Sequence, residues 1–287
     1  MLELFIIILI GLGAVAFVTL LERKILGLSQ IRLGPNKVTI RGILQPLADG
    51  VKLLAKQMLS PKRKQLGIFL IIPSLLLLIF LLLWCYDMEW EGNLEAVKYT
   101  RLVLFSLLGV GAYSVILTGW ASTRVFSKLG RLRGILQRIS YEVTLILVFI
   151  IILFPLKRIH FSSMSINKEI RAIWMTLWFL LILIERNRAP FDLLEGESEL
   201  ISGFNVEIGS LVFVLLFLSE YGILLFLRLV LAVIITRVPS LIACICVFFL
   251  LLIRRCFPRL RYDSLITLIW QSFLPLRLFL RFPGLWL

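Results

Sequence analysis

The sequence predicts an all-α, polytopic membrane protein with about eight transmembrane helices and one amphipathic helix at the interface. Three observations carry that prediction. Apolar residues fill 60% of 287 positions, where a soluble domain holds roughly 45 to 50%. The excess gathers into runs long enough to cross bilayer hydrocarbon, in which a helix satisfies its own backbone. The surplus of positive charge, +14 overall, falls unevenly between alternate connections.

The first span, Leu2 to Leu21, begins beside Met1 without a basic leader or a small-residue cleavage site, so it reads as a retained span and not a signal peptide. The long connection Glu22 to Gln65 opens on Glu22-Arg23-Lys24, turns at Arg32-Leu-Gly-Pro-Asn36, and continues through Ile43 to Met58. In that last part Leu44, Leu47, Val51, Leu54 and Met58 recur at steps of three and four, with Lys52 and Lys56 elsewhere on the wheel. This is the pattern of a helix lying in the interface. Gln45 and Asp49 sit near its apolar side and need partners or a cavity. Further spans are expected at Leu66 to Tyr86, Leu102 to Trp120, Ile139 to Pro155, Ala172 to Ile184, Leu211 to Ile235, Leu241 to Ile253 and Ser264 to Leu280. The fifth, seventh and eighth run short and need tilt or flanking residues to complete them. Residues 1–287 read as a single transmembrane domain.

Of 31 Lys and Arg, 21 lie in four connections: Glu22 to Gln65, Ala121 to Arg138, Glu185 to Ser210 and Arg254 to Asp263. The positive-inside rule puts these on the cytoplasm-equivalent face, which is the matrix or stroma in an organelle. Position therefore explains the charge better than nucleic acid does. Arg124, Lys128, Arg131, Arg133 and Arg138 have no acid or interleaved aromatic ladder among them, which suits topology and anionic membrane lipid. Cys85, Cys244, Cys246 and Cys256 form no CxxC pair and read as small core residues. His160 is the only histidine, which excludes a histidine-based haem, zinc or triad site within the chain. Gly11-Leu-Gly13 and Gly109-Val-Gly111 lie in apolar helices without a phosphate-loop pattern, so helix packing explains them.

Carboxylates at membrane depth are costly and default to functional candidates. Glu142 inside the fourth span and Glu220 inside the sixth qualify. The structural alternative for Glu142 is an intrahelical pair with Arg138, four residues earlier. The connection after the fifth span is the other concentration: Glu185, Asp192, Glu195, Glu197, Glu199 and Glu207 place six acids within 23 residues. Pro190 suits a helix's first turn, which would set Asp192 at the positive end of the dipole and Asp192, Glu195 and Glu199 on one face. Such stacked carboxylates raise one another's pKa and form a proton-exchanging surface. Phe191, Leu193, Leu194, Leu200, Ile201 and Phe204 alternate with the charges, so a partly buried polar chamber is expected in place of a solvated loop.

The run Arg188-Ala-Pro-Phe-Asp-Leu-Leu-Glu-Gly-Glu-Ser-Glu-Leu-Ile-Ser-Gly-Phe-Asn-Val-Glu207 closely resembles the signature of the subunit-1 family of respiratory NADH:ubiquinone oxidoreductase, in its mitochondrial form. Supporting matches run almost end to end: Glu22-Arg-Lys-Ile-Leu-Gly27, Arg32 to Asn36, Gln45-Pro-Leu-Ala-Asp-Gly-Val-Lys52, Gly119-Trp-Ala-Ser122, Ile139-Ser-Tyr-Glu-Val143, Glu220-Tyr221, Pro258-Arg-Leu-Arg-Tyr-Asp263 and Phe273-Leu-Pro275. The resemblance implies a multi-pass subunit of the mitochondrial inner membrane that forms a quinone chamber and carries no redox centre. FMN and iron-sulfur clusters would belong to partner subunits, and peripheral-arm and antiporter-like membrane subunits would be its neighbours. By the same resemblance Glu22, Arg23, Gln45, Asp49, Phe217 and Arg254 line the quinone passage. Tyr141, Glu142, Glu185, Asp192, Glu195, Glu197, Glu199, Glu207 and Glu220 form the proton-coupling region, with Arg133 as counter-charge.

The chain departs from the family at Ile208, where a Tyr is usual, and at Ile184 and Arg186 beside Glu185. It is also shorter after the fourth and sixth spans and at the carboxyl end. Two other classes compete. A secondary transporter or proton channel would use Glu142 and Glu220 as its ion path, yet the sequence shows no inverted repeat. A membrane anchor of a related plastid dehydrogenase or hydrogenase would share the same subunit type.

Overall fold

The computed structural model describes residues 2–56, 66–86, 103–104, 106–111, 113, 117, 125–153, 168–185, 188–192, 209–235 and 239–275. Every regular element among them is helical. In chain order these are α1 (Leu2–Ser29), a 3-10 turn at Ile40–Gly42, α2 (Gln45–Ala55), α3 (Leu66–Tyr86), α4 (Val125–Leu153), α5 (Lys168–Glu185), α6 (Ser210–Ile235), α7 (Pro239–Cys256) and α8 (Tyr262–Thr267), the last continued by a π-helical turn at Leu268–Phe273. Helical residues also occur within 103–111, in the expected third span.

Helix and apolar span do not end together. The α1 helix runs eight residues beyond the expected boundary, because Glu22-Arg23-Lys24 continues a helix as readily as Leu does. It stops where the Gln30 N–H returns to the Leu26 carbonyl at 3.2 Å and the Arg32 N–H to that of Gly27 at 3.0 Å. Glu22, expected in the connection, is therefore a helical residue. Likewise α4 begins at Val125, so Lys128, Arg131, Arg133 and Arg138 ride on a helix that enters the fourth span. Pro239 opens α7, where its missing N–H costs nothing.

The α6 helix is the axis of the packing. Ile223, Leu224, Phe226, Leu227 and Val230 are all essentially buried. The Phe80 ring of α3 lies flat on Gly222, and Trp84 Nε1 donates to the Gly222 carbonyl at 3.4 Å. The same Trp84 ring rests on Gly11 of α1, and Trp178 of α5 donates to the Leu227 carbonyl at 3.4 Å. Glycines on α1 and α6 thus let large rings of α3 approach two backbones, the packing expected where helices associate in lipid.

Two described helices are long and apolar enough to cross a membrane, Phe5–Ser29 and Ser210–Val230, with shorter apolar helices at Ile71–Cys85 and Thr176–Glu185. That is fewer than the eight spans composition predicts. Basic residues within α4 and at the end of α7 shorten their apolar windows. Leu47, Val51 and Leu54 of α2, with Leu44 just before it, are all exposed, so the chain leaves the apolar face of this amphipathic helix uncovered. The cysteines are not core residues: Cys244 and Cys256 are exposed, and Cys85 and Cys246 only half-buried. His160 lies outside the described residues.

Candidate functional site

The α1 overhang builds the first part of the site. Glu22 is buried, and two helices supply its partners. Tyr221 of α6 donates its phenol to Glu22 Oε2 at 2.7 Å, and Arg254 at the end of α7 forms an ion pair with Oε1. A carboxylate taken out of water persists only where such partners offset its desolvation. The adjacent Arg23 points elsewhere, to Asp49 of α2, whose other oxygen accepts from Gln45 Nε2 at 2.8 Å. Burial pushes the Asp49 carboxyl upward, but the hydrogen bonds from Arg23 and Gln45, with the charges of Arg23 and Lys52, outweigh it and hold the group below the usual carboxylate range. Asp49 is therefore ionised at neutral pH, and the need of Gln45 and Asp49 for partners is met.

Phe217 lies one turn before Tyr221, stacked on it at 6.5 Å between ring centroids. Phe213 packs against Phe217 at 4.1 Å between ring centroids, and the Arg188 guanidinium sits 5.0 Å from the Phe217 ring centroid, a cation–π arrangement. Glu22 thus gathers Arg254 and, through Tyr221, Phe217, while Arg23 gathers Asp49 and Gln45, so that consecutive residues of α1 reach α6 and α7 on one hand and α2 on the other.

The second cluster lies where α4 meets α5. Arg138 Nη2 contacts Glu185 Oε1 at 3.0 Å, and both side chains are about nine-tenths buried. Arg138 therefore pairs across to the next helix instead of closing the intrahelical pair with Glu142. Tyr141 places its phenol against Glu185, and the carboxylates of Glu220 and Glu142 lie within electrostatic range of the Arg138 guanidinium. Consecutive residues on a helix point about 100° apart. This is how Tyr221 serves the Glu22 cluster while its neighbour Glu220 faces Arg138.

The acidic connection starts as a pinned turn and not as a helix. The Phe191 N–H donates to the Arg188 carbonyl at 2.9 Å around Ala189-Pro190, whose peptide is cis. Pro190 is a turn residue, and the residues after Asp192 that would form the expected helix lie outside the described residues. Asp192 is instead buried against Arg259 at 3.1 Å. The Pro190 carbonyl accepts from the Leu260 N–H at 2.9 Å, and Gln137 Nε2 reaches the Phe191 and Ile184 carbonyls at 3.2 and 3.4 Å. Glu195, Glu197, Glu199, Glu207 and Ile208 lie outside the described residues, so the one-face arrangement of Asp192, Glu195 and Glu199 does too.

Sequence reasoning missed several polar groups. Arg131 and Arg138 are buried, so neither offers its charge to lipid, and Arg133 acts electrostatically on Tyr262. Arg228 is buried within α6, and the rule that flagged Glu142 and Glu220, an ionisable group inside a span, applies equally to it. Gln137 and Arg259 carried no such signal, since each looks like a residue of a polar connection.

The NADH dehydrogenase family model matches residues 2–282. The chain is 39% identical over 279 residues to NADH-ubiquinone oxidoreductase chain 1 of Artemia franciscana, covering 95% of this chain and 93% of that protein. It is 38% identical to the protein of the same name in Osphranter rufus, covering 92% and 89%, and 39% identical to that of Thymallus arcticus, covering 92% and 87%. With a match of this length, the chain belongs to the NADH dehydrogenase family that includes these NADH-ubiquinone oxidoreductase chain 1 proteins.

Proposed function

We propose that this chain is a membrane-arm subunit of a proton-translocating NADH:ubiquinone oxidoreductase, forming the quinone chamber and linking quinone reduction to proton transfer. It would be a multi-pass protein of the mitochondrial inner membrane with eight spans in one domain. The basic connection 22–65 and the acidic connection 185–210 would lie on the matrix side. Ubiquinone is the substrate. Electrons would arrive from FMN and iron-sulfur clusters held by peripheral-arm subunits, and antiporter-like membrane subunits would receive the coupling.

One observation supports the reading most: consecutive Glu22 and Arg23 of α1 each meet residues remote in sequence, Glu22 meeting Tyr221 and Arg254 beside Phe217, and Arg23 meeting Asp49 beside Gln45. A ring stack beside an arginine suits a flat headgroup, and the buried Glu22–Arg254 pair sets a fixed polar wall beside it. Reduction of a quinone to quinol takes two electrons and two protons, so proton demand appears next to Tyr221 and Glu22. Glu220, the neighbour of Tyr221, faces the second cluster, which gives a short route from the quinone region to Arg138, Glu185 and Glu142.

Glu142→Gln and Glu195→Gln in the assembled complex test the reading. Each is expected to lower NADH:quinone turnover or the protons translocated per NADH by roughly 10-fold or more, the scale on which loss of a proton-transfer group acts. NADH oxidation by a water-soluble artificial acceptor should persist. Unchanged coupled turnover in both variants would count against it.

A further inference from the structure

Gln137 is a neutral polar side chain of α4, buried to 1% exposure. We propose that Gln137 is a positioning residue for the quinone region: its carboxamide ties the end of α5 to the turn that carries Arg188, and so sets the guanidinium that sits on Phe217. This rests on the functional reading above.

A single nitrogen makes the tie. Gln137 Nε2 carries two hydrogens, and it donates to the Phe191 carbonyl at 3.2 Å and to the Ile184 carbonyl at 3.4 Å. Ile184 belongs to the last turn of α5, where carbonyls lack an intrahelical partner. Phe191 closes the turn, its own N–H donating to the Arg188 carbonyl at 2.9 Å. One amide therefore fixes the spacing between helix end and turn. Asn would fall one carbon short, ionised Glu offers no donor, and Leu offers none. The neighbouring Arg138 holds the α5 end separately, through Glu185 at 3.0 Å. Loss of the carboxamide thus leaves α5 anchored and acts on the turn.

That turn places a cation on a ring. The Arg188 guanidinium lies 5.0 Å from the Phe217 centroid, and Phe217 stacks on Tyr221, the donor to Glu22. The attraction holds within about 6 Å, so a displacement of about 1 to 2 Å removes most of it. The Leu260 N–H on the Pro190 carbonyl and the Arg259–Asp192 pair hold the turn to the connection after α7. Gln137 holds it to α4 and α5.

Steady-state kinetics of the assembled complex in its native membrane, with ubiquinone varied, provide the test. Gln137→Leu keeps the bulk and deletes both donors, together with an Oε1 that has no hydrogen-bond partner among the described residues, so most of the complex content should remain. The KM for ubiquinone is expected to rise about 3- to 10-fold, the scale of one or two lost hydrogen bonds, while kcat and NADH oxidation by a water-soluble acceptor stay near wild type. Arg188→Leu should raise the same KM. The double variant should raise it no further, because the amide acts through the guanidinium. A wild-type KM in Gln137→Leu, whatever its content, or additive effects in the double variant overturn the proposal. Where Gln137→Leu leaves no assembled complex, Gln137→Asn carries the same test with the same outcomes. A wild-type KM in Arg188→Leu instead overturns the reading of Arg188 and Phe217 as a quinone seat.

Discussion

Replacing Arg254 with Met is expected to destabilise the subunit by about 3 to 5 kcal/mol, the cost of leaving one member of a buried ion pair behind. Glu22 is the reason. Its side chain is 6% exposed, against 24% for Arg254, so losing the arginine takes an ion-pair partner from a buried carboxylate that keeps the Tyr221 phenol as a donor. The variant should show reduced complex content and a lower temperature of thermal inactivation. Glu22→Gln combined with Arg254→Met removes the stranded charge and should recover much of the content. Recovery of content without recovery of quinone turnover would separate the structural contribution of the pair from its place at the quinone wall. Wild-type content in Arg254→Met alone would show that the pair does not hold α1 to α7.

Gly222→Leu is expected to abolish assembly. A Cβ at that position would collide with the Phe80 ring, which is fully buried. Even Gly222→Ala should cost about 1 to 3 kcal/mol, because overpacking a close helix contact forces rings off their rotamers or pushes α3 from α6. The Trp84 donation to the Gly222 carbonyl would be lost with that displacement. The check is complex content by native electrophoresis for Gly222→Ala, Gly222→Leu and the double variant Gly222→Ala with Phe80→Leu. The double variant should regain content over Gly222→Ala, since the smaller side chain vacates the space the new methyl needs. Failure to regain it would place the defect somewhere other than the Phe80 contact.

The elements most legible in the sequence were those whose apolar runs have sharp polar borders. Leu66 to Tyr86 is recovered without change as α3, and Leu211 to Ile235 gains only Ser210 in α6. Hydropathy reports contact with lipid, however, and not helicity. That is why the polar extension of α1 past Leu21 and the basic first half of α4 went unseen, although both are helical. The candidate residues were legible as members of motifs, but their pairing was not. Nothing local says that Glu22 meets Arg254 and Tyr221, or that Arg138 meets Glu185, because those partners are brought together by helix packing. Pro190 shows the opposite error. A local rule placed it at a helix start, and contacts from Gln137 and the Leu260 N–H, remote in sequence, hold it in a turn.

A quinone headgroup is expected to lie against this chain. A photoreactive ubiquinone analogue, irradiated in the intact complex and followed by peptide mapping, tests that most directly. Labelling is expected on segments containing Glu22 and Arg23, Gln45 to Asp49 or Phe217, and it should be suppressed by excess unlabelled ubiquinone. Labelling confined to other subunits, or labelling of this chain that excess ubiquinone leaves unchanged, would contradict the account.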